Sequence, residues 1–222
     1  MPLYFNGNTI GDLYFGGTKI GEAWFNGQQV YTSALPVINY MFRDIDVNGN
    51  LTLATGTLED ASEITSIGNY GLYYAFYKCT GLTGNVSFPN LTSIGSNGLC
   101  QAFYGCTGLT GISFPNLTSI GSNGLRYAFY DCAGLTGNIS FPNLTSIGSG
   151  GLQYAFDNCT GLIGGSVFFP SLTSIESGGL KNSFRYGYPG VSEVHFKSSL
   201  SGNSECTASN IGNPYATVYF DL

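Results

Sequence analysis

Hydrophobic and polar positions recur along this chain with a period much longer than that of a helix or a strand. From about residue 60 to residue 185 the phrase SFPNLTSIGSNGL, followed by AFYxCTGLTG, returns with small variations. Its Ser-Ile pair begins at Ser66, Ser93, Ser119, Ser146 and Ser174, so the steps are 27, 26, 27 and 28 residues. A fixed period of this size marks a solenoid, in which each copy is one coil and the stacked coils share a core. Ile94, Ile120 and Ile147 must then lie one above the next in a common interior.

Within each copy the alternation predicts a strand. In LTGNVSFPN, Leu82, Val86 and Phe88 face inward and Ser87 outward, because neighbouring strand residues point to opposite faces. The equivalent inward pairs are Ile112/Phe114, Ile139/Phe141, Val167/Phe169, Val194/Phe196 and Val218/Phe220, which extends the ladder past the obvious repeats. Pro89, Pro115, Pro142 and Pro170 end the strands, since proline donates no ladder hydrogen bond. LTSIG turns a corner with Ile67, Ile94, Ile120, Ile147 and Ile175 inward. A short helix or 3₁₀ turn is predicted around Ala75-Phe76, Ala102-Phe103, Ala128-Phe129, Ala155-Phe156 and Ser183-Phe184. Gly81, Gly108, Gly134 and Gly161 allow the return to the strand.

The first third of the chain follows a different rhythm. Aromatic pairs at Tyr4-Phe5, Tyr14-Phe15 and Trp24-Phe25 are spaced by ten, each followed by Asn-Gly or Gly-Gly. Such dipeptides take the positive φ angles of hairpin turns. Residues 1–34 are therefore expected to form a small antiparallel β-meander, with a linker around 32–37. Residues 35–59 form a capping hairpin, FRDIDV and NLTLAT about Asn48-Gly49, and residues 60–222 the solenoid with its C-terminal cap.

Composition narrows the function. Of 222 residues 43% are hydrophobic, 15% aromatic and only 9% charged, with a formal charge of −6. Seven Lys and Arg residues spread thinly leave no basic stripe for nucleic acid or anionic membrane. No stretch approaches the roughly 18 apolar residues of a membrane span. The N-terminus lacks a basic region and an apolar region in series, so no secretory signal is expected there.

LTSIG…YAFYxCTGLT…ISFPN resembles the BspA-like leucine-rich repeat, a bacterial surface-protein variant of the leucine-rich repeat family. The resemblance covers roughly residues 60–200, and the coils here are a few residues longer than is usual. It implies an α/β solenoid, a right-handed superhelix with a parallel sheet, and a binding function of adhesin type; it brings no catalytic residue and no cofactor. The segment LYFNGNTIGDLYFGGTKIG is similar to segments that open some phage and prophage structural proteins.

Candidate chemistry is sparse. Cys79, Cys106, Cys132 and Cys159 share one repeat position and stack at about 4.8 Å. Zinc needs convergent ligands, usually close pairs, so a buried ladder of free thiols is the expected state. Asp44, Asp46, Asn48 and Gly49 imitate the start of a calcium loop, but its twelfth position is Thr55, and a plain hairpin is expected. His195 is the only histidine, and no nucleophile motif accompanies it. No metal site is expected. The Asn residues of the NLT triplets, Asn90, Asn116 and Asn143, are expected to hydrogen-bond within the corner.

The outward column of the strand face is more informative: Ser87, Ser113, Ser140, Phe168, His195, Tyr219. Beside it run Asn85, Gly111, Asn138, Ser166, Glu193 and Thr217. Ser140, Phe168, Glu193, His195 and Tyr219 are the candidate binding residues, because aromatics beside a few polar groups suit protein or glycan contacts. The plainer outcome is that residues 200–216 cover Phe168 and Tyr219. Two further columns, Tyr77/Tyr104/Tyr130/Asp157 and Tyr74/Gln101/Tyr127/Tyr154, read mainly as lids over the core. The expectation is a non-enzymatic module that recognises a host protein or glycan from a bacterial surface. The alternatives are a phage tail or receptor-binding protein docked through the N-terminal meander, or a spacer.

Overall fold

The computed structural model describes residues 64–186 and 190–222, and the backbone of six short strands before them. Those strands are β1 (Leu3–Phe5), β2 (Asn8–Ile10), β3 (Ala23–Phe25), β4 (Gln28–Tyr31), β5 (Asp44–Ile45) and β6 (Leu51–Thr52). They pair antiparallel, β1 with β2, β3 with β4 and β5 with β6. Phe5 pairs with Asn8 and Phe25 with Gln28, which leaves Asn6-Gly7 and Asn26-Gly27 between the paired residues. The middle repeat at 13–20, the linker, the turn at Asn48-Gly49 and the capping contact lie outside the described residues.

From residue 64 the chain winds as a solenoid whose coils have three sides. The serine side is a five-stranded parallel sheet: β7 (Ser66–Ile67), β9 (Ser93–Ile94), β11 (Ser119–Ile120), β13 (Ser146–Ile147) and β15 (Ser174–Ile175). What the sequence suggested as a corner is thus a sheet of its own. Each Ser pairs with the next Ser and each Ile with the next Ile. Ile94, Ile120 and Ile147 are buried in one column.

The strand face is built from β8 (Gly84–Ser87), β10 (Leu109–Ser113), β12 (Ile139–Ser140), β14 (Ser166–Phe169), β16 (Glu193–Phe196) and β17 (Thr217–Phe220), all parallel. It is two sheets: β8 with β10, and the run β12-β14-β16-β17. At the break β12 is only Ile139–Ser140 and does not pair with β10, whose own pairing with β8 shifts register between Leu109 and Gly111.

The third side departs from the expected helix. Among the described residues the only helical element is a 3₁₀ turn at Ser198–Leu200. Elsewhere this side is a ladder of turns. Tyr74 N–H donates to the Cys100 carbonyl of the next coil (3.1 Å), Gln101 N–H to Arg126 (2.9 Å) and Tyr127 N–H to Gln153 (3.0 Å). Every second amide crosses in this way, as Phe76 N–H also does to the Ala102 carbonyl (2.7 Å), and the alternate amides bond back three residues, as Tyr77 N–H does to the Tyr74 carbonyl at 3.2 Å. Every fourth residue is left-handed, as at Tyr70, Tyr74 and Lys78 or Asn123, Tyr127 and Asp131. An L-residue helix cannot continue through that conformation. It would also use every amide internally and leave none to bind the next coil.

Two phenylalanine columns fill the core. Phe88, Phe114, Phe141, Phe169 and Phe196 stack behind the strand face, with ring centroids 5.3–6.2 Å apart. Phe76, Phe103, Phe129, Phe156 and Phe184 stack behind the turns at 4.9–5.4 Å. Each buried ring contributes on the order of 2 kcal/mol through burial alone.

The cysteine ladder holds as expected. Cys79, Cys106, Cys132 and Cys159 are buried thiols, and those of Cys106, Cys132 and Cys159 each donate at 3.0 Å to a carbonyl of the coil before. Gly108 and its equivalents are needed for closeness, not for a positive φ. A Cβ at Gly108 would lie 2.6 Å from the Leu82 carbonyl oxygen, and one at Gly134 would collide with the Thr107 carbonyl.

Asn116 and Asn143 bond between coils instead of within the corner. Their amides donate at 2.7 Å to the carbonyls of Pro89 and Pro115. Thr92, Thr118, Thr145 and Thr173 do the same, each hydroxyl donating to the threonine carbonyl one coil earlier at 2.8–3.1 Å.

Candidate functional site

The strand face brings the sequence candidates together in register. Ser140 pairs with Phe168, Phe168 with His195 and His195 with Tyr219. In the neighbouring column Ser166 pairs with Glu193 and Glu193 with Thr217. Alternation on a strand aims all of these outward, because Val167, Val194 and Phe196 occupy the core.

The aromatic column is a continuous stack. Phe168 and His195 lie 4.9 Å apart with planes 17° from parallel, and His195 and Tyr219 lie 4.7 Å apart at 13°. The His195 side chain is only 14% exposed between them. Its Nδ1 is 3.0 Å and 3.1 Å from the two Asp221 carboxylate oxygens, and its Nε2 is 3.4 Å from Glu193 Oε2. Ser166 Oγ also donates to that Glu193 oxygen, at 3.1 Å. A neutral imidazole carries one N–H and serves one carboxylate; the imidazolium serves both.

Asp221 was not among the residues singled out from sequence. Its signal was available, since it continues the outward alternation of Thr217 and Tyr219. The Glu193 and Asp221 side chains are 43% and 49% exposed. They offer acceptors beside an aromatic stack whose last ring, Tyr219, is exposed.

Residues 200–216 do not cover this face. They form a further coil on the turn side: Asn182 N–H donates to the Asn210 carbonyl and Phe184 N–H to the Ile211 carbonyl. Glu205 Oε1 accepts from Gly178 N–H at 3.0 Å.

The tyrosine columns are as predicted in register but form a wider array. Tyr77, Tyr104 and Tyr130 stack at 4.8 Å and 4.6 Å, and Tyr127 on Tyr154 at 4.7 Å. Tyr130 meets Tyr127 edge-on, which joins the two columns. Tyr77 continues through Tyr74 and Tyr73 to Tyr70. Eight tyrosines thus make one unbroken contact chain across the turn face. Asp157 succeeds Tyr130 in its column and is fully buried; Arg185 pairs with its Oδ2 through Nε (3.1 Å) and Nη2 (2.9 Å). Burial pushes the Asp157 carboxyl above its usual range, and Arg185 pulls it back only in part.

The serine side carries a shallow trough lined by Ser119, Ser122, Ser146, Ser174 and Glu176. Glu176 Oε2 already accepts from Ser149 N–H at 3.0 Å. Among the described residues no group of three His, Cys, Asp or Glu is arranged to hold a metal ion, and no helix is long and apolar enough to cross a membrane. Asp46, Asn48 and Gly49 of the calcium-like segment lie outside the described residues, whereas Asp44 sits on β5 opposite Thr52.

The repeats match the BspA type leucine rich repeat region in 6 copies over residues 65–201. The chain belongs to this family. A solved leucine rich repeat protein of T. pallidum is 23% identical, with a TM-score of 0.46 over 81% of this chain and 67% of that one. One from Bacteroides ovatus is also 23% identical, with a TM-score of 0.47 over 77% of this chain and 40% of that one, so the BspA-type chain spans less than half of the longer protein. A leucine rich cell surface protein from Faecalibacterium prausnitzii is 15% identical, with a TM-score of 0.26 over 72% of this chain and 64% of that one. None of the curated proteins matches the sequence. BspA-type repeats make protein-interaction or adhesion modules, and the fold is generally non-catalytic.

Proposed function

We propose that this BspA-type chain is a non-enzymatic recognition module of a bacterial surface, binding a host protein or glycan through the C-terminal half of its strand face. The observation that carries the reading is the Phe168–His195–Tyr219 stack with Glu193 and Asp221 beside it, open to solvent at Tyr219. Ring faces and edges bind apolar surface, and the carboxylates accept hydrogen bonds from sugar hydroxyls or protein N–H groups. Ser140 begins the column with a small hydroxyl and leaves room beside Phe168.

A glycan array and a whole-cell binding screen identify the ligand. Phe168→Ala with Tyr219→Ala should then weaken binding by about tenfold or more, as loss of a buried aromatic anchor does, with the thermal transition retained. Unchanged affinity in the folded double variant removes the strand face from the reading.

A second reading, a phage tail or receptor-binding protein, is favoured by the N-terminal repeats, whose paired strands β1–β2 and β3–β4 lie outside the family match. Antibody labelling of producing cells separates the two. Label on the cell envelope supports the adhesin, and label on released tailed particles supports the virion component.

A further inference from the structure

The turn face carries a feature that packing does not require. Tyr70, Tyr74, Tyr127, Tyr154 and Tyr186 all sit at φ between 53° and 57°. The left-handed region is disfavoured for bulky side chains and open to Gly and Asn. Tyr70 shares its turn position with Asn97, Asn123, Gly150 and Gly178; Tyr74, Tyr127 and Tyr154 share theirs with Gln101 and Asn182; and Tyr186 shares its own with Lys78, Gly105, Asp131 and Asn158, all at positive φ. The chain therefore has the unstrained solution at hand and departs from it with tyrosine. The core beneath is already filled by the Phe76–Phe184 column. Residues held in such backbone persist where they serve something other than stability.

Charge marks the same face. Lys78, Arg126, Lys181 and Arg185 are four of the seven Lys and Arg residues in a chain of net charge −6. Arg126 lies over the Tyr127 ring at 5.2 Å, Lys78 over Tyr77 at 5.5 Å and Arg185 over Tyr154 at 4.8 Å. Arg126 Nε is buried without a hydrogen-bond partner. The nearby carboxylates are occupied, Asp157 by Arg185 and Asp131 by the Asn158 amide. Tyr70 ends the array at 62% exposure, and at the other end Arg185 lies over both Tyr154 and Tyr186, the latter 68% exposed.

We propose that the turn face is a second docking surface, on a different side of the coil from the strand face, and that it takes an acidic protein partner. Rigid tyrosines give contact area at little entropic cost. The cations over the rings steer and orient a carboxylate-bearing surface. A protein fits better than a sugar, because the ring faces of Tyr77, Tyr104 and Tyr130 are turned onto one another, as are those of Tyr127 and Tyr154, which leaves few open faces for a sugar ring to stack on.

The probe is an immobilised random glutamate–tyrosine copolymer, with the full chain in solution. Binding should fall with added salt. It should weaken about tenfold or more in Tyr74→Asn/Tyr127→Asn/Tyr154→Asn, and separately in Lys78→Glu/Arg126→Glu/Lys181→Glu. Asn suits the left-handed positions, so the first variant keeps its fold; circular dichroism and the thermal transition confirm this. Phe168→Ala/Tyr219→Ala should bind the copolymer normally, which keeps this test apart from that of the strand face. The proposal fails if the copolymer does not bind, if either turn-face variant binds it equally, or if a lysine–tyrosine copolymer binds as well. It also fails if heparin binds where the copolymer does not, or if light scattering shows a self-associated chain that these variants dissolve.

Discussion

His195 lies ring over ring on Tyr219 at 4.7 Å, with Asp221 from just beyond the same strand closing on its Nδ1. Removing the Tyr219 ring strips one wall from the imidazole and leaves the core residues Val194 and Phe196 untouched. Tyr219→Ala should cost about 1 kcal/mol of stability, in line with a surface aromatic pair. Urea titration of the variant measures it. A loss of several kcal/mol would mean that the outer column, and not the phenylalanine column, carries the sheet.

Arg185 neutralises a carboxylate that no water reaches. Asp157 is fully buried and has one oxygen without a partner. Arg185→Ala leaves that charge uncompensated and should cost about 3 kcal/mol, whereas Arg185→Ala with Asp157→Leu should recover most of it. Chemical denaturation of the two variants shows the difference directly.

Two glycines three residues apart answer to different constraints. Gly134 abuts the Thr107 and Leu109 carbonyls of the preceding coil, whereas a Cβ at Gly137 would meet nothing within 4 Å but would sit at φ 75°. Gly134→Ala should therefore cost about 3 kcal/mol or prevent folding, and Gly137→Ala about 1 kcal/mol. Expression level and melting temperature rank the pair.

Buried thiols set the alkaline limit. Burial pushes Cys206 up to about 12, with Glu205 adding to the shift, and lifts Cys132 and Cys159 well above the ordinary thiol value. Unfolded thiols ionise near pH 9 while the folded ones stay protonated, so the unfolded state sheds protons first. The stabilisation is whole below about pH 9 and is lost progressively toward about pH 12. Denaturant midpoints should fall across that window, and Cys206→Ser should flatten the fall.

The coil register was readable from the chain because like residues recur at nearly constant spacing. Ser93, Ser119 and Ser146 had to align, and with them Val86 or Ile139 inward and Ser140 outward. The turn side was not readable. Ala75-Phe76 and Ala128-Phe129 look like the start of a helix, and nothing in local propensity places Tyr74 or Tyr127 in left-handed backbone. Hydrogen bonds from the next coil decide that geometry, and they overrule local preference. Asn116 and Asn143 misled for a similar reason, since Asn suggests a local turn while its acceptor here is a proline carbonyl some 27 residues earlier. The break between Ser113 and Ser140 was not readable either, because Ile112 and Ile139 keep the same inward pattern on both sides of it. Asp221 could have been found by counting two residues past Tyr219.

Thr92, Thr118, Thr145 and Thr173 each fasten one coil to the coil before it. A molecule fastened neighbour to neighbour tolerates gain or loss of whole units when its gene recombines between identical stretches. Its reach then becomes a heritable quantity set by copy number, adjustable across generations without redesigning a single contact.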